Sequence, residues 1–401
     1  MSISRRNFVA GAAAMSLTKT RPVTARTQRN QITDRFDPWI EVDEAALRHN
    51  VGEVARLAGG RPILAVVKNN AYGLGLTIVG PMLAAMPQIA GLAVVKASAA
   101  IALRDAGVDK PILLMGMSAE SDARELVSRG IAISLYTDDA VNRVERLANR
   151  VGRPVDAHLY LDTGMGRMGM PYTRALSWMR DLAPRAELRI GGTFMAFVEE
   201  TDFDREQLQR FTELTDQAKR DGLDLGRLHA ASSNGVFHLP QARLDMVRPG
   251  IALYGGYPSH PEIERAMSTL RPAFRLKARV VRVVRLRPGD SVSYGRNYVA
   301  ERDTWIATLP VGHADGYPRQ AVNGARVLIG ENLYPVIGAV SASHAIVEIG
   351  TDKRVEVGDT VTLVGPDRPE IMPNALAAAT GVSVYDILMH LNPELPRVVV
   401  G

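Results

Sequence analysis

Residues 65–75 read Ala65-Val66-Val67-Lys68-Asn69-Asn70-Ala71-Tyr72-Gly73-Leu74-Gly75. An apolar strand runs into a lysine, and a turn of small residues with one tyrosine follows. Burial at the end of such a strand favours the neutral amine, the form that attacks a carbonyl to make an imine. A lysine on a solvated barrel rim has the same local pattern, so the surroundings must decide. Outward from this stretch, short apolar runs recur at 63–67, 91–95, 112–115, 132–135, 157–161, 190–194, 228–231 and 251–253. Amphipathic stretches such as 96–106, 138–149 and 205–221 separate them. This repeat predicts an α/β chain folded as a (β/α)8 TIM-like barrel. A doubly wound open sheet is the competing arrangement, but no G-x-G-x-x-G follows an early strand.

Past Arg271 the texture changes. Helical periodicity fades, and apolar runs at 274–286, 304–309, 325–329, 345–348, 360–364 and 397–400 alternate with Gly, Pro and Asp. Only 374–379 reads as helical. The expected organisation is therefore a signal segment at 1–30, a barrel at 37–270 and a C-terminal all-β domain at 271–401. The chain of 401 residues, 46% hydrophobic, is long enough for two substantial cores. A net charge of +5 without a basic block gives no footprint for nucleic acid. There is no cysteine, hence no disulfide framework and no thiolate chemistry. Ser4-Arg5-Arg6-Asn7-Phe8-Val9 has the twin-arginine pattern. A weakly apolar stretch and the small-residue site Val23-Thr24-Ala25 follow it. Export to the periplasm is the expectation, and no stretch is long enough to span a membrane.

The 65–75 string closely resembles the cofactor-lysine motif of the alanine racemases, the fold-type-III pyridoxal 5'-phosphate (PLP) enzymes. Asn69 stands for the usual Ala and Leu74 for the usual His. The resemblance runs over nearly the whole chain after the signal segment. His158-Leu159-Tyr160-Leu161-Asp162-Thr163-Gly164-Met165-Gly166-Arg167 is similar to the family's L-x-(I/V)-D-T-G-M-x-R signature. His229-Ala230-Ala231-Ser232-Ser233 resembles H-x-A-N-S, and Met246 to Gly255 matches the segment carrying Arg248-Pro249-Gly250-Ile251. Ser291 to Tyr298 resembles V-(S/G)-Y-G-x-x-Y, and Tyr385 matches a late tyrosine.

The resemblance implies a homodimer in which the β domain of one subunit completes the site of the other. It implies that Lys68 carries PLP, and that Lys68 and Tyr294 are the two catalytic bases. Tyr72, Ser233, Gly250, Ile251 and Tyr385 would seat the phosphate. Arg248 would face the pyridine nitrogen, supported by His229. An arginine keeps its proton there, leaving the ring a weaker electron sink that favours reprotonation at the α carbon. Arg167 would hold the substrate carboxylate, although Tyr160 replaces the carboxylated lysine that often orients it.

Two further departures concern specificity. Phe194-Met195-Ala196-Phe197 stands where the family has T-H-F-A, so Met195 or Ala196 is expected in place of a histidine on the cofactor ring. Ala342-Ser343 replaces a Met-Asp pair that lines the substrate site. The expected activity is racemisation of a free amino acid, L/D-alanine by default, with room for larger ones. Another PLP reaction on the same fold (decarboxylation, aldol cleavage or elimination) and a non-catalytic PLP-binding protein are the alternatives. No metal site is expected, because His313, His344 and Asp315 are scattered.

Overall fold

The computed structural model describes residues 35–401; the twin-arginine segment lies outside them. Seven parallel strands run in the order Ile63–Val66, Ile89–Val94, Ile112–Leu114, Ala132–Leu135, Val155–Asp162, Leu188–Phe194 and Arg227–His229. The stretch 246–249 closes the ring. Val247 pairs in parallel with Ile63. Leu64 and Val66 donate their amides to the Val247 and Pro249 carbonyls at 2.9 Å, and Arg248 donates its own to Ala231 at 2.8 Å. The barrel is complete, with its closing strand five residues earlier than the expected run at 251–253. Pro249 has no N–H with which to continue the ladder. Ile251–Tyr254 instead coils into a 3-10 turn.

The helices follow the amphipathic stretches closely: Ala97–Asp105, Ala140–Val151 and Thr201–Arg220 lie over the expected 96–106, 138–149 and 205–221. Each lays an apolar stripe on the barrel, as Ala140, Val144, Leu147 and Ala148 do.

The second domain is built on a nine-stranded sheet. The expected run at 274–286 is two strands, Phe274–Arg279 and Arg282–Leu286. The chain changes partner between them: Val280 donates to Asp359 and Val281 to Thr308. Asn332–Ile337 is a strand and Val384–Met389 a helix, neither of which stood out in the sequence. Trp39–Asp43, inside the stretch assigned to the barrel, lies in this sheet. It pairs antiparallel with Phe274–Arg279 and parallel with Arg397–Val400. The chain therefore crosses between domains twice, and one continuous core spans both. Among the described residues no helix is long and apolar enough to cross a membrane.

Candidate active site

Lys68 leaves the C-terminal end of the first barrel strand, the end at which barrel chemistry is built. The four residues after it turn left-handed: φ is 52° at Asn69, 57° at Asn70, 52° at Ala71 and 54° at Tyr72. That conformation costs an L-residue about 1–2 kcal/mol, less for Asn. The surroundings hold it. Ala71 donates to Val67 at 3.1 Å, and Asn70 Oδ1 accepts the Leu76 amide at 2.8 Å. Gly73 packs so tightly on the Val384–Met389 helix that a Cβ there would lie 2.2 Å from the Leu388 carbonyl. Buried Arg397, on the last strand, donates to the Gly73 carbonyl at 2.7 Å. Asn69, the first departure in this motif, donates to the Met389 sulfur at 3.2 Å. Leu74, the second, is fully buried.

The left-handed turn swings Tyr72 inward, stacked on Tyr254 at 4.6 Å between centroids and beside Tyr385 at 6.4 Å. A Cβ on Gly250 would lie 2.0 Å from the Tyr72 hydroxyl, so only glycine fits there. Ser233 Oγ accepts the amides of Gly250 at 3.0 Å and Ala252 at 3.2 Å. Burial raises Tyr72 well above the ordinary phenol value, helped by Tyr385, Tyr254 and Glu199. Burial likewise raises Tyr385. Both phenols therefore keep their protons at neutral pH. Two phenolic O–H groups, a serine hydroxyl and the amides at the start of a 3-10 turn make a neutral donor cradle. Such a cradle suits a phosphate group.

Lys68 points over this cradle, its Nζ 6.0 Å from the Tyr72 ring centroid. Desolvation lowers its pKa; Arg167 lowers it further, and Glu199 opposes both. Glu199 did not stand out in the sequence. It sits in the loop after the sixth strand with φ 67°, its amide bound to Asp204 Oδ1 at 3.0 Å and Oε1 accepting from Ser232 at 3.3 Å.

Arg248 is buried beneath. Its NH2 donates to the Met195 carbonyl at 2.6 Å, and its NH1 to the His229 carbonyl at 2.6 Å. NH1 also donates to His229 Nδ1 at 3.1 Å. His229 Nδ1 must then be the acceptor, which leaves the proton on Nε2. Nε2 donates in turn to His158 Nδ1 at 2.8 Å. Burial and the nearby guanidinium keep both rings neutral: His158 falls to about 4 and His229 well below its usual value. Burial pulls Arg248 down only to about 10, so it stays charged at neutral pH. His158 was legible in retrospect, two positions before Tyr160 on the same face of its strand.

The aromatic inside the barrel is Phe194, which corrects the expectation of Met195 or Ala196. Its ring stacks on His229 at 5.1 Å and on Tyr160 at 4.2 Å, with the Arg248 guanidinium 5.0 Å away. Met195 is turned away and fully buried, its sulfur 3.7 Å from the Thr163 hydroxyl. Tyr160 belongs to this aromatic stack and holds no hydrogen bond to Arg167. Arg167 is exposed and forms no hydrogen bond or ion pair among the described residues.

A second group of expected residues collects on the β domain. Tyr294 is 77% exposed, on a hairpin with positive φ at Ser293, Gly295 and Arg296. Ser293 Oγ donates to the Ala339 carbonyl at 3.1 Å. Ala342 and Ser343 are exposed in the same connection, 338–344, where the Ala342 carbonyl accepts the Ala314 amide at 3.0 Å. His313, beside it, accepts from Arg319 at 2.7 Å. Among the described residues no hydrogen bond or ring contact joins this group to Lys68 within one chain.

Both halves of the chain match one family. The profile of the alanine racemase N-terminal domain fits residues 42–258, and that of the C-terminal domain fits residues 273–399. The chain belongs to the alanine racemase family. Its enzymes are PLP-dependent racemases, and the donor cradle below Lys68 fits that cofactor. An alanine racemase of Carboxydothermus hydrogenoformans is 34% identical over 90% of this chain and 99% of its own. The solved alanine racemase of Streptomyces coelicolor superposes with a TM-score of 0.85 at 32% identity, covering 93% of this chain and 100% of that one. The enzyme of a D-cycloserine-producing Streptomyces lavendulae gives 0.84 at 29% identity, with 92% and 98% covered.

Proposed function

We propose that this protein racemises free alanine and at least one larger amino acid, in a site shared between two copies of the chain. The observation that carries the reading is the placement of Lys68. It is a partly desolvated amine above a neutral donor cradle, with a charged arginine below that is held by His229 and the Met195 carbonyl. In this reading Tyr72, Ser233, Tyr385 and the amides of Gly250 and Ile251 hold the phosphate, and Arg248 faces the pyridine nitrogen. Bound PLP supplies the electron withdrawal that acidifies the substrate's α carbon. The free amine of Lys68 takes or returns the proton on one face. Tyr294 of the partner subunit does so on the other, and Arg167 binds the substrate carboxylate. Tyr294 is solvent-exposed in one chain, as a group that serves a partner's site would be.

Tyr294→Phe is expected to keep the cofactor and lose racemisation by about 10²–10⁴-fold. A near-wild-type rate in this variant would remove Tyr294 from the chemistry. Ala342 and Ser343 stand where a bulky side chain and a carboxylate are usual, which supports a wider pocket. Excluding one methylene is worth roughly 1–3 kcal/mol, so a single bulky residue can set the limit. Ala342→Met should narrow turnover toward alanine and serine; wild type active on alanine alone would refute the wide pocket. Periplasmic export rests on the twin-arginine pattern. A reporter fused behind residues 1–34 should reach the periplasm only through a working twin-arginine pathway, and Arg5→Lys with Arg6→Lys should retain it in the cytoplasm.

A further inference from the structure

Behind the phosphate cradle lies a buried carboxylate that the chemistry above does not use. Glu264, on the helix Pro261–Met267, has a fully buried side chain. Its Oε1 accepts from His238 Nε2 at 2.7 Å, Ser259 Oγ at 3.0 Å and the Ser259 amide at 3.2 Å. Oε2 lies 3.4 Å from the same amide. Ser259 Oγ also accepts from Asn234 Nδ2 at 2.9 Å. Among the described residues no lysine or arginine pairs with Glu264. A buried carboxylate is costly unless it is hydrogen-bonded and paired, and such groups are weak contributors to stability. What they can supply is a fixed geometry.

The geometry here is specific. Asn234 and His238 lie four residues apart, on one face of the short helix Ser233–His238. The first residue of that helix is Ser233, whose hydroxyl accepts the Gly250 and Ala252 amides. One end of the helix therefore lines the cradle, while its Asn234/His238 face is fastened to the 259–264 segment. The charge on Glu264 also raises the pKa of Tyr385, so the carboxylate acts on a second group of the cradle.

We propose that Glu264, with Ser259, His238 and Asn234, forms a positioning clamp that holds Ser233 in register for the cofactor's phosphate. The inference rests on reading Ser233 and Gly250 as the phosphate seat. None of the four residues touches the reacting atoms. The clamp acts on phosphate retention alone, and Lys68 lies on a different strand.

The test compares PLP with pyridoxal, which lacks the phosphate, on the full-length chain stripped of cofactor. Dissociation constants follow from the visible absorbance that appears on imine formation. Wild type should bind PLP far more tightly than pyridoxal. Glu264→Gln keeps the size of the side chain and removes its charge. It should weaken PLP by about 10-fold or more, the scale expected for a lost hydrogen bond to a charged group, and leave pyridoxal unchanged. Ser259→Ala removes the hydroxyl that joins Asn234 to Glu264 and leaves the His238–Glu264 bond in place; it should show the same selective loss to a smaller degree, and it decides the matter if Glu264→Gln does not fold. Equal weakening of both ligands, or no change in either, overturns the clamp. A wild type that fails to distinguish PLP from pyridoxal overturns the phosphate seat, and the clamp with it.

Discussion

At the scale of single residues the site is governed by which protons are held and which are released. Desolvation and Arg167 both push the Lys68 amine toward its neutral form, while Glu199 opposes them. The folded pKa is lowered, so the neutral amine is populated at a lower pH than in an ordinary lysine, whose pKa is ~10.4. The rate at which the cofactor-free chain captures PLP should rise with pH through an apparent pKa below that value. Removing a positive neighbour raises a lysine pKa, and removing a negative one lowers it. Arg167→Gln should therefore shift this profile toward alkaline pH, and Glu199→Gln toward acid. Shifts of the opposite sign would place neither residue beside Lys68. Arg248, His229 and His158 work the other way: their hydrogen bonds fix a charged guanidinium above two neutral rings, so protons stay put.

At the scale of elements, the stretch that matters most is the left-handed turn after Lys68. It brings Tyr72 against Gly250, where a Cβ would stand 2.0 Å from the phenol oxygen. Gly250→Ala is expected to drive Tyr72 off Tyr254 and cut PLP affinity by at least about 10-fold, the effect of losing one strong phosphate hydrogen bond. The barrel should survive, because the change lies past the end of the closing strand. Circular dichroism together with PLP titration would separate the two effects, and unchanged affinity would count against Tyr72 as a phosphate ligand. The strands and helices of the barrel were readable from hydrophobic period, since a buried parallel strand is a short apolar run whatever its partner. The left-handed turn was not, because Asn-Asn-Ala-Tyr shows no glycine where positive φ is required. Nor was the closing strand, whose four residues include an arginine and a proline. Position 194 was misjudged for a related reason. Phe194 and Met195 are both apolar and adjacent, and only the strand's alternation decides which faces the barrel interior.

At the scale of the whole molecule, the proposed mechanism draws its two bases from separate domains, Lys68 on the barrel and Tyr294 on the β domain. Trp39–Asp43 threads the N-terminus into the C-terminal sheet, and Arg397 on the last strand grips the lysine turn. One continuous core thereby joins the two domains of one chain. The proposed mechanism takes Tyr294 from a second copy, arranged so that each β domain faces the other's barrel. Lys68→Ala and Tyr294→Phe, each inactive alone, can test this by mixing. A mixed dimer holds one site lacking both bases and one site with both intact. With random re-association, half the dimers are mixed and half of their sites work, so the mixture should recover about one quarter of wild-type activity. Sites complete within a single chain would give no recovery at any mixing ratio. Recovery near one quarter, lost on dilution below the dimer dissociation constant, is the result expected if catalysis belongs to the pair.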